Sequence, residues 1–358
     1  MINRSKKHLP NLDALRGIAA IIIVIYHFDI FHGGFMKFHP SNAWLAVDLF
    51  FLLSGYVISR AYGESLQSGK MLFSRFIAVR FVRLYPTYIF SVILSLFIMI
   101  LIQFSPSPIC IVNIKQIIYA SFSALFFLPS LSKYLSGWNM NVVWWSLSYE
   151  LLINVILSFF WIHKKTKLIT CILAVTWFFL LFLAFYSKTL GGGTDLNYKS
   201  IIFALTRSAY GIFLGFLLYQ HQDRSVLKKI SINPTLSFLL ILFFLLFSGK
   251  GYYCSVQAIL AVTIIFPICV LSLARADVSN PALSKVLFWL GSISYPLYVL
   301  HVPIINLTIS YIPYWISQFK PWGGIMLIMV VLTIADLINR LVDIPGRKFL
   351  SLKIFRSA

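Results

Sequence analysis

The chain has 358 residues, of which 59% are hydrophobic and only 11% charged, and its mean hydropathy is +0.87. Soluble globular domains carry about 25% charged residues, so this composition excludes one. The net charge of +20 does not point to nucleic acid, because the basic residues lie in short segments between apolar runs, where a polytopic membrane protein keeps its Lys and Arg.

Apolar runs long enough to cross a bilayer recur along the whole length and predict an all-α polytopic membrane bundle of about ten transmembrane helices. They lie near residues 12–30, 42–60, 84–104, 142–162, 168–186, 201–219, 235–249, 254–274, 288–308 and 324–342. The N-terminus has the basic start and apolar run of a signal peptide. Asp13, Arg16 and His27 interrupt that run and no small-residue cleavage site follows, so it reads as a retained first span. The stretch QIIYASFSALFFLP (116–129) is apolar but short and ends in proline, which suits an interfacial or re-entrant piece.

Charge decides the orientation. With the N-terminus inside, 20 of the 30 Lys and Arg fall in inside segments and 7 in outside segments. The other three, Arg16, Arg207 and Arg340, lie within spans. Both termini are therefore expected in the cytoplasm. Cys110, Cys171, Cys254 and Cys269 show no C-x-x-C spacing and no His-rich neighbourhood, so no metal site is read, and a Cys110–Cys254 disulfide is weakly suggested at most. No repeat or linker is visible, and the expectation is a single membrane domain over 1–358 without an additional soluble domain.

Arg16 and His27 stand eleven residues apart in the first span. That is close to three helical turns, so both side chains share one face, about 16 Å apart along the axis. Ionisable residues inside a span are costly and call for a functional explanation. The orientation puts Arg16 toward the cytoplasm and His27 toward the outside. The same arithmetic puts Asp48 and Arg207 about 9 Å below the outer boundary, His301 about 11 Å and Glu150 about 12 Å. Five ionisable residues from five spans thus converge on the outer half of the bilayer. Asp48 can orient a neutral His27 imidazole, as carboxylates do for catalytic histidines on unrelated folds. Glu150 can do the same or balance Arg207, and His301 alone can equally serve as a hydrogen bond between helices.

A second cluster is RFIAVRFVRLYP (75–86). Arg80 and Arg83 are neighbours on one helix face at the cytoplasmic mouth of the third span. Their planar forks suit phosphate, with Arg75 nearby, although topological anchoring also explains basic residues there. Pro86 reads as lying near a helix start. Trp144 and Trp145 suit an interfacial belt or a wall for a sugar ring. Ser54-Gly55 suits close helix approach with a local polar contact. Ser54 and Ser148 lack a nucleophile-elbow context.

LDALRGIAAIIIVIYHF, AVDLFFLLSGYVISR, RFVRLYP and WWSLSYE together resemble, in order and spacing, the motifs of the acyltransferase family 3 membrane proteins over roughly the first 160 residues. SISYPLYVLHVPI and VDIPGRKF resemble it more weakly, with Asp343 where the family commonly has Glu at an expected helix end. The resemblance implies a bacterial inner-membrane O-acyltransferase that takes an acyl group, usually acetyl, from cytoplasmic acetyl-CoA as donor substrate, with no bound cofactor and no metal. The implied acceptor is a carbohydrate such as exopolysaccharide, O-antigen or another glycan, with membrane lipid and glycan-assembly proteins as partners. It implies His27 as catalytic and Arg16, Arg80 and Arg83 in donor binding or site integrity. Joined to the residue-level reading, Asp48 and Glu150 are expected to support His27, Arg75 to help hold the donor, and Trp144, Trp145, Arg207 and His301 to form an acceptor pocket. The competing class is a flippase or proton-coupled carrier, which buried charges also suit, though no matching halves are seen. A scaffold without catalysis is a third reading.

Overall fold

A computed structural model describes residues 8–31, 40–106, 108, 111–131, 135–138, 140–163, 165–312, 314 and 318–356. Cys110 lies outside them. Helices dominate: α1 (Pro10–Phe31), α2 (Leu45–Gln67), α3 (Phe73–Ile102), α4 (Ile114–Leu125), α5 (Trp144–Ile162), α6 (Thr166–Ser187), α7 (Tyr198–His221), α8 (Ser225–Lys228) and α9 (Pro234–Leu246). They are followed by α10 (Tyr252–Arg275), α11 (Pro281–Tyr311) and α12 (Trp322–Phe355). Strand pairing among the described residues is a two-residue antiparallel bridge, Ser130–Leu131 with Ser136–Gly137.

Among the described residues nine helices are long and apolar enough to cross a membrane. The tenth expected span is α9, with only 13 residues. At 1.5 Å per residue it is roughly 20 Å long. It nevertheless runs from one end of the bundle to the other. Ile232 N just before it donates to Ser272 Oγ (3.0 Å) near the close of α10, and the Phe247 carbonyl just after it accepts from Asn42 Nδ2 (3.0 Å) before α2. The apolar stretch at 116–129 becomes α4, 12 residues long. It starts beside the end of α3, where Val112 N donates to Gln103 Oε1 (2.9 Å), and ends midway along that helix, where Tyr88 Oη donates to the Ala124 carbonyl (2.8 Å), so it does not cross the bundle.

Two helix pairs form the centre. α2 and α7 run in the same direction and approach closely at Gly55 and Gly215; a Cβ at Gly55 would lie 2.0 Å from the Ile212 carbonyl oxygen, and one at Gly215 2.1 Å from that of Leu52. α1 and α11 also run in the same direction, with Gly17 against Leu290 and Gly291 against Asp13. Small residues let membrane helices meet backbone to backbone. In α7 and α11, 78% of the apolar window is buried, against 22% in α6 and α12, which form the periphery.

Two local readings change. α3 begins at Phe73, eleven residues before the expected span, so Pro86 sits inside a 30-residue helix and not near its start. Its ring packs on Gly346 of α12. Asp343 does not end a helix. It lies buried in a π-turn, Asn339–Asp343, within α12 and pairs with Arg347 one turn on.

Candidate active site

The α1–α11 pair brings two histidines together. His27 Nδ1 lies 2.9 Å from His301 Nε2, with the rings stacked at 23° and their centroids 5.0 Å apart. His301 is fully buried, and its Nδ1 lies 3.1 Å from the Leu297 carbonyl of its own helix. Pro303 has no N–H and so leaves the Val299 carbonyl, four residues back, without its helical donor. Asn141 Nδ2 takes that place at 2.9 Å. The proline-flanked segment carrying His301 is thereby tied to the entry of α5.

Asp48 was expected to orient His27, but it holds Arg207. The guanidinium meets the carboxylate through Nε–Oδ1 (3.0 Å) and Nη2–Oδ2 (2.7 Å), and both side chains are buried. Arg207 also donates to the carbonyls of Gly192 (2.8 Å) and Trp44 (3.2 Å). Its Cζ sits 5.6 Å from the Trp44 ring and 5.4 Å from the Trp145 ring. An Arg that makes four hydrogen bonds with its five N–H groups, beside two tryptophan rings, organises its surroundings and has little left for a ligand.

His27 opens onto a cavity of ≈ 310 Å³ whose walls include Tyr26, Trp44, Trp145, Gly192 and Arg207. The expected acceptor residues are therefore divided. Trp145 and Arg207 line this space. Trp144 does not: consecutive helix positions point about 100° apart, and Trp144 is buried, with Nε1 donating to Ser91 Oγ (3.1 Å). His301 lies behind His27 and away from the wall. Trp44 supplies the second aromatic face, and nothing in the sequence set it apart from other tryptophans near a span end.

The other end of the same face opens onto a cavity of ≈ 220 Å³ lined by Arg16, Arg80, Arg83, Ser54, Tyr62 and Glu150, among others. Glu150 sits here, not beside His27 or Arg207. Its Oε1 accepts from Arg80 Nη2 (2.7 Å) and Ser54 Oγ (2.6 Å). Among the described residues neither Arg16 nor Arg83 has a hydrogen bond or ion pair to its guanidinium. Two guanidinium groups without a direct partner, in a cavity whose lining carboxylate, Glu150, is already held by Arg80, leave it suited to an anion. Arg75 lies outside it, exposed, with Cζ 5.5 Å from the Phe355 ring. Arg83 also borders a third cavity of ≈ 420 Å³, whose other basic side chains are already partnered: Arg340 with Asp336, Arg347 with Asp343 and His8 with Asp13.

The ≈ 220 and ≈ 310 Å³ cavities abut, with Val47 and Tyr298 common to both walls. Tyr298 is held edge-on against Phe50 at 5.5 Å, and its hydroxyl lies 2.8 Å from Ser146 Oγ. Ser146 donates to the Val143 carbonyl (3.0 Å), so Tyr298 is the donor to Ser146. Sequence reasoning passed over Tyr298. The signal available was its place three residues before His301, on the same helix face, between two prolines.

Comparison with known proteins gives the family. A family model described as an acyltransferase domain matches residues 9–340. The chain is 26% identical over 383 residues to the peptidoglycan O-acetyltransferase OatA of Listeria monocytogenes, covering 96% of this chain and 56% of that protein. It is 26% identical over 373 residues to the O-acetyltransferase OatA of Staphylococcus aureus, with 96% and 58% covered. It thus spans little more than half the length of these two relatives. Protein 2 in the picA locus of Rhizobium radiobacter is 34% identical over 173 residues, 46% of this chain and 88% of that protein. No solved structure matches. With the family model covering nearly the whole membrane bundle, the chain belongs to the acyltransferase family 3 membrane proteins.

Proposed function

We propose that the protein moves an acyl group, acetyl in the first instance, from cytoplasmic acyl-CoA to a hydroxyl of a cell-surface or lipid-linked carbohydrate. The observation that carries this reading is the pair of abutting cavities. One presents the unmatched guanidinium groups of Arg16 and Arg83, and the other presents His27 between aromatic walls. The donor's phosphates seat near Arg80 and Arg83, and its long thin arm passes Arg16 toward the Tyr298 wall. The acceptor enters from the opposite end, where Trp44 and Trp145 offer flat faces to a sugar ring. His27 acts as general base on the acceptor hydroxyl or carries the acyl group transiently.

The positive-inside count supports placing the Arg16 end in the cytoplasm of a bacterial inner membrane. The names of the OatA relatives support acetyl as the group and an envelope glycan such as peptidoglycan as the acceptor class. A flippase reading accounts for buried charge but gives His27, between its aromatic walls, no chemistry to perform.

Membrane vesicles given labelled acetyl-CoA test the proposal. Label should appear in glycan with the parent chain and be lost with His27→Ala. Normal transfer by His27→Ala, or glycan flux without any covalent product, would sink it.

A further inference from the structure

We infer that His301 is a positioning residue that fixes the tautomer of His27, so that His27 Nε2 is the reacting atom. The inference rests on the reading of His27 as the working imidazole and adds which of its nitrogens works and what sets the choice.

One line of hydrogen bonds sets the protons. The Leu297 carbonyl only accepts, so the His301 nitrogen 3.1 Å from it, Nδ1, carries a hydrogen. A neutral imidazole has one N–H, which leaves His301 Nε2 bare. Across the 2.9 Å contact that bare nitrogen must accept, so His27 donates from Nδ1. His27 Nε2 is then the lone pair left over, on a ring that borders the ≈ 310 Å³ cavity. The reverse assignment would aim two lone pairs at each other between His301 and Leu297. The carboxylate that ordinarily sets a catalytic histidine's tautomer has its counterpart nearby in Asp48, but both Asp48 oxygens are taken by Arg207. A neutral imidazole does the same orienting job here without adding a charge to the bundle interior. The tie from Asn141 to Val299, and His301's complete burial, hold that imidazole in place.

The acceptor hydroxyl oxygen bonds to the acyl carbon as its proton passes to His27 Nε2. The carbon–sulfur bond breaks, and the thiolate leaves with that electron pair. The proton then moves from His27 Nε2 to sulfur, giving an ester and free thiol. Through all of this the Nδ1 hydrogen of His27 stays directed at His301 Nε2.

Three substitutions separate this role from packing. Gln ends at the ε position and returns an acceptor where His301 Nε2 stood. Asn ends at the δ position and keeps only the Leu297 side. Phe fills the space with neither. With labelled acetyl-CoA and membrane vesicles carrying the native glycan, His301→Phe and His301→Asn should lower kcat by roughly 100-fold or more, in the range of a positioned base, with KM for acetyl-CoA unchanged. His301→Gln should stay within about tenfold of the parent, and His27→Ala should be inactive. Independently of any variant's folding, imidazole 15N spectra of the labelled parent should show His27 protonated at Nδ1 and bare at Nε2. A parental rate in His301→Phe, equal loss in Gln, Asn and Phe, or a His27 found protonated at Nε2 would overturn the inference while leaving His27 as the catalytic group. An active His27→Ala would instead remove the reading beneath it.

Discussion

Arg207 and Asp48 hold each other in a two-pronged ion pair with 2% and 1% of their side chains exposed. Removing one partner of such a pair strands the other charge in the bundle, at a cost of about 3–5 kcal/mol. Arg207→Leu and Asp48→Leu should each lower unfolding stability in detergent by that order. The double variant should lose much less than their sum. Strict additivity would show that the two residues do not act as a pair.

The arginines of the ≈ 220 Å³ cavity should separate by what they touch. Arg16→Ala and Arg83→Ala remove guanidinium groups with no direct partner, so the fold should be held or slightly strengthened. Binding of acetyl-CoA should weaken by roughly tenfold or more for each lost charge-assisted contact. Arg80→Ala should differ, since it deprives Glu150 of its 2.7 Å partner and so costs stability as well. Calorimetric titration with acetyl-CoA, beside a thermal melt of each variant, reads both effects. Unchanged affinity in a folded Arg16→Ala/Arg83→Ala chain would remove both residues from donor binding.

Tyr298 stands between the two cavities. Tyr298→Phe keeps the ring and loses one hydrogen bond to Ser146, about 1 kcal/mol, so transfer should persist. Tyr298→Ala removes the wall and joins the two spaces. Acetyl-CoA should then be hydrolysed without glycan product, read as free thiol released in excess of labelled glycan. Tight coupling in Tyr298→Ala would place the barrier elsewhere.

Asn141 and Pro303 should be coupled through a single carbonyl. Asn141→Ala leaves the Val299 carbonyl without a donor in an apolar interior, costing about 1–3 kcal/mol. In a Pro303→Ala background the helix supplies its own N–H, and the same substitution should become nearly neutral. An equal loss in both backgrounds would detach the two residues.

Much of the architecture was legible because a bilayer demands long apolar helices whatever their neighbours. The eleven-residue spacing of Arg16 and His27 likewise placed them at opposite ends of one helix face, and each now borders a different cavity. Partner choice was not legible. Depth along a span fixes height but not azimuth, so Asp48 and Glu150 both looked available to His27, whereas the partner is His301. The crossings at Gly55 and Gly215 turn Asp48 toward Arg207, and the α1–α11 contact turns His27 toward His301. Glu150 points to the opposite cavity because α5 faces Ser54 and Arg80 there. Trp144 and Trp145 show the same limit: adjacent in sequence, they serve different walls.

The brevity of α9 bears on the lipid around it. Leu236, Leu239 and Phe243 are exposed along its length and meet acyl chains directly. A helix of roughly 20 Å beside hydrocarbon about 30 Å thick leaves a mismatch of roughly 10 Å, which a bilayer meets by thinning and a chain by flanking residues that reach to the interface.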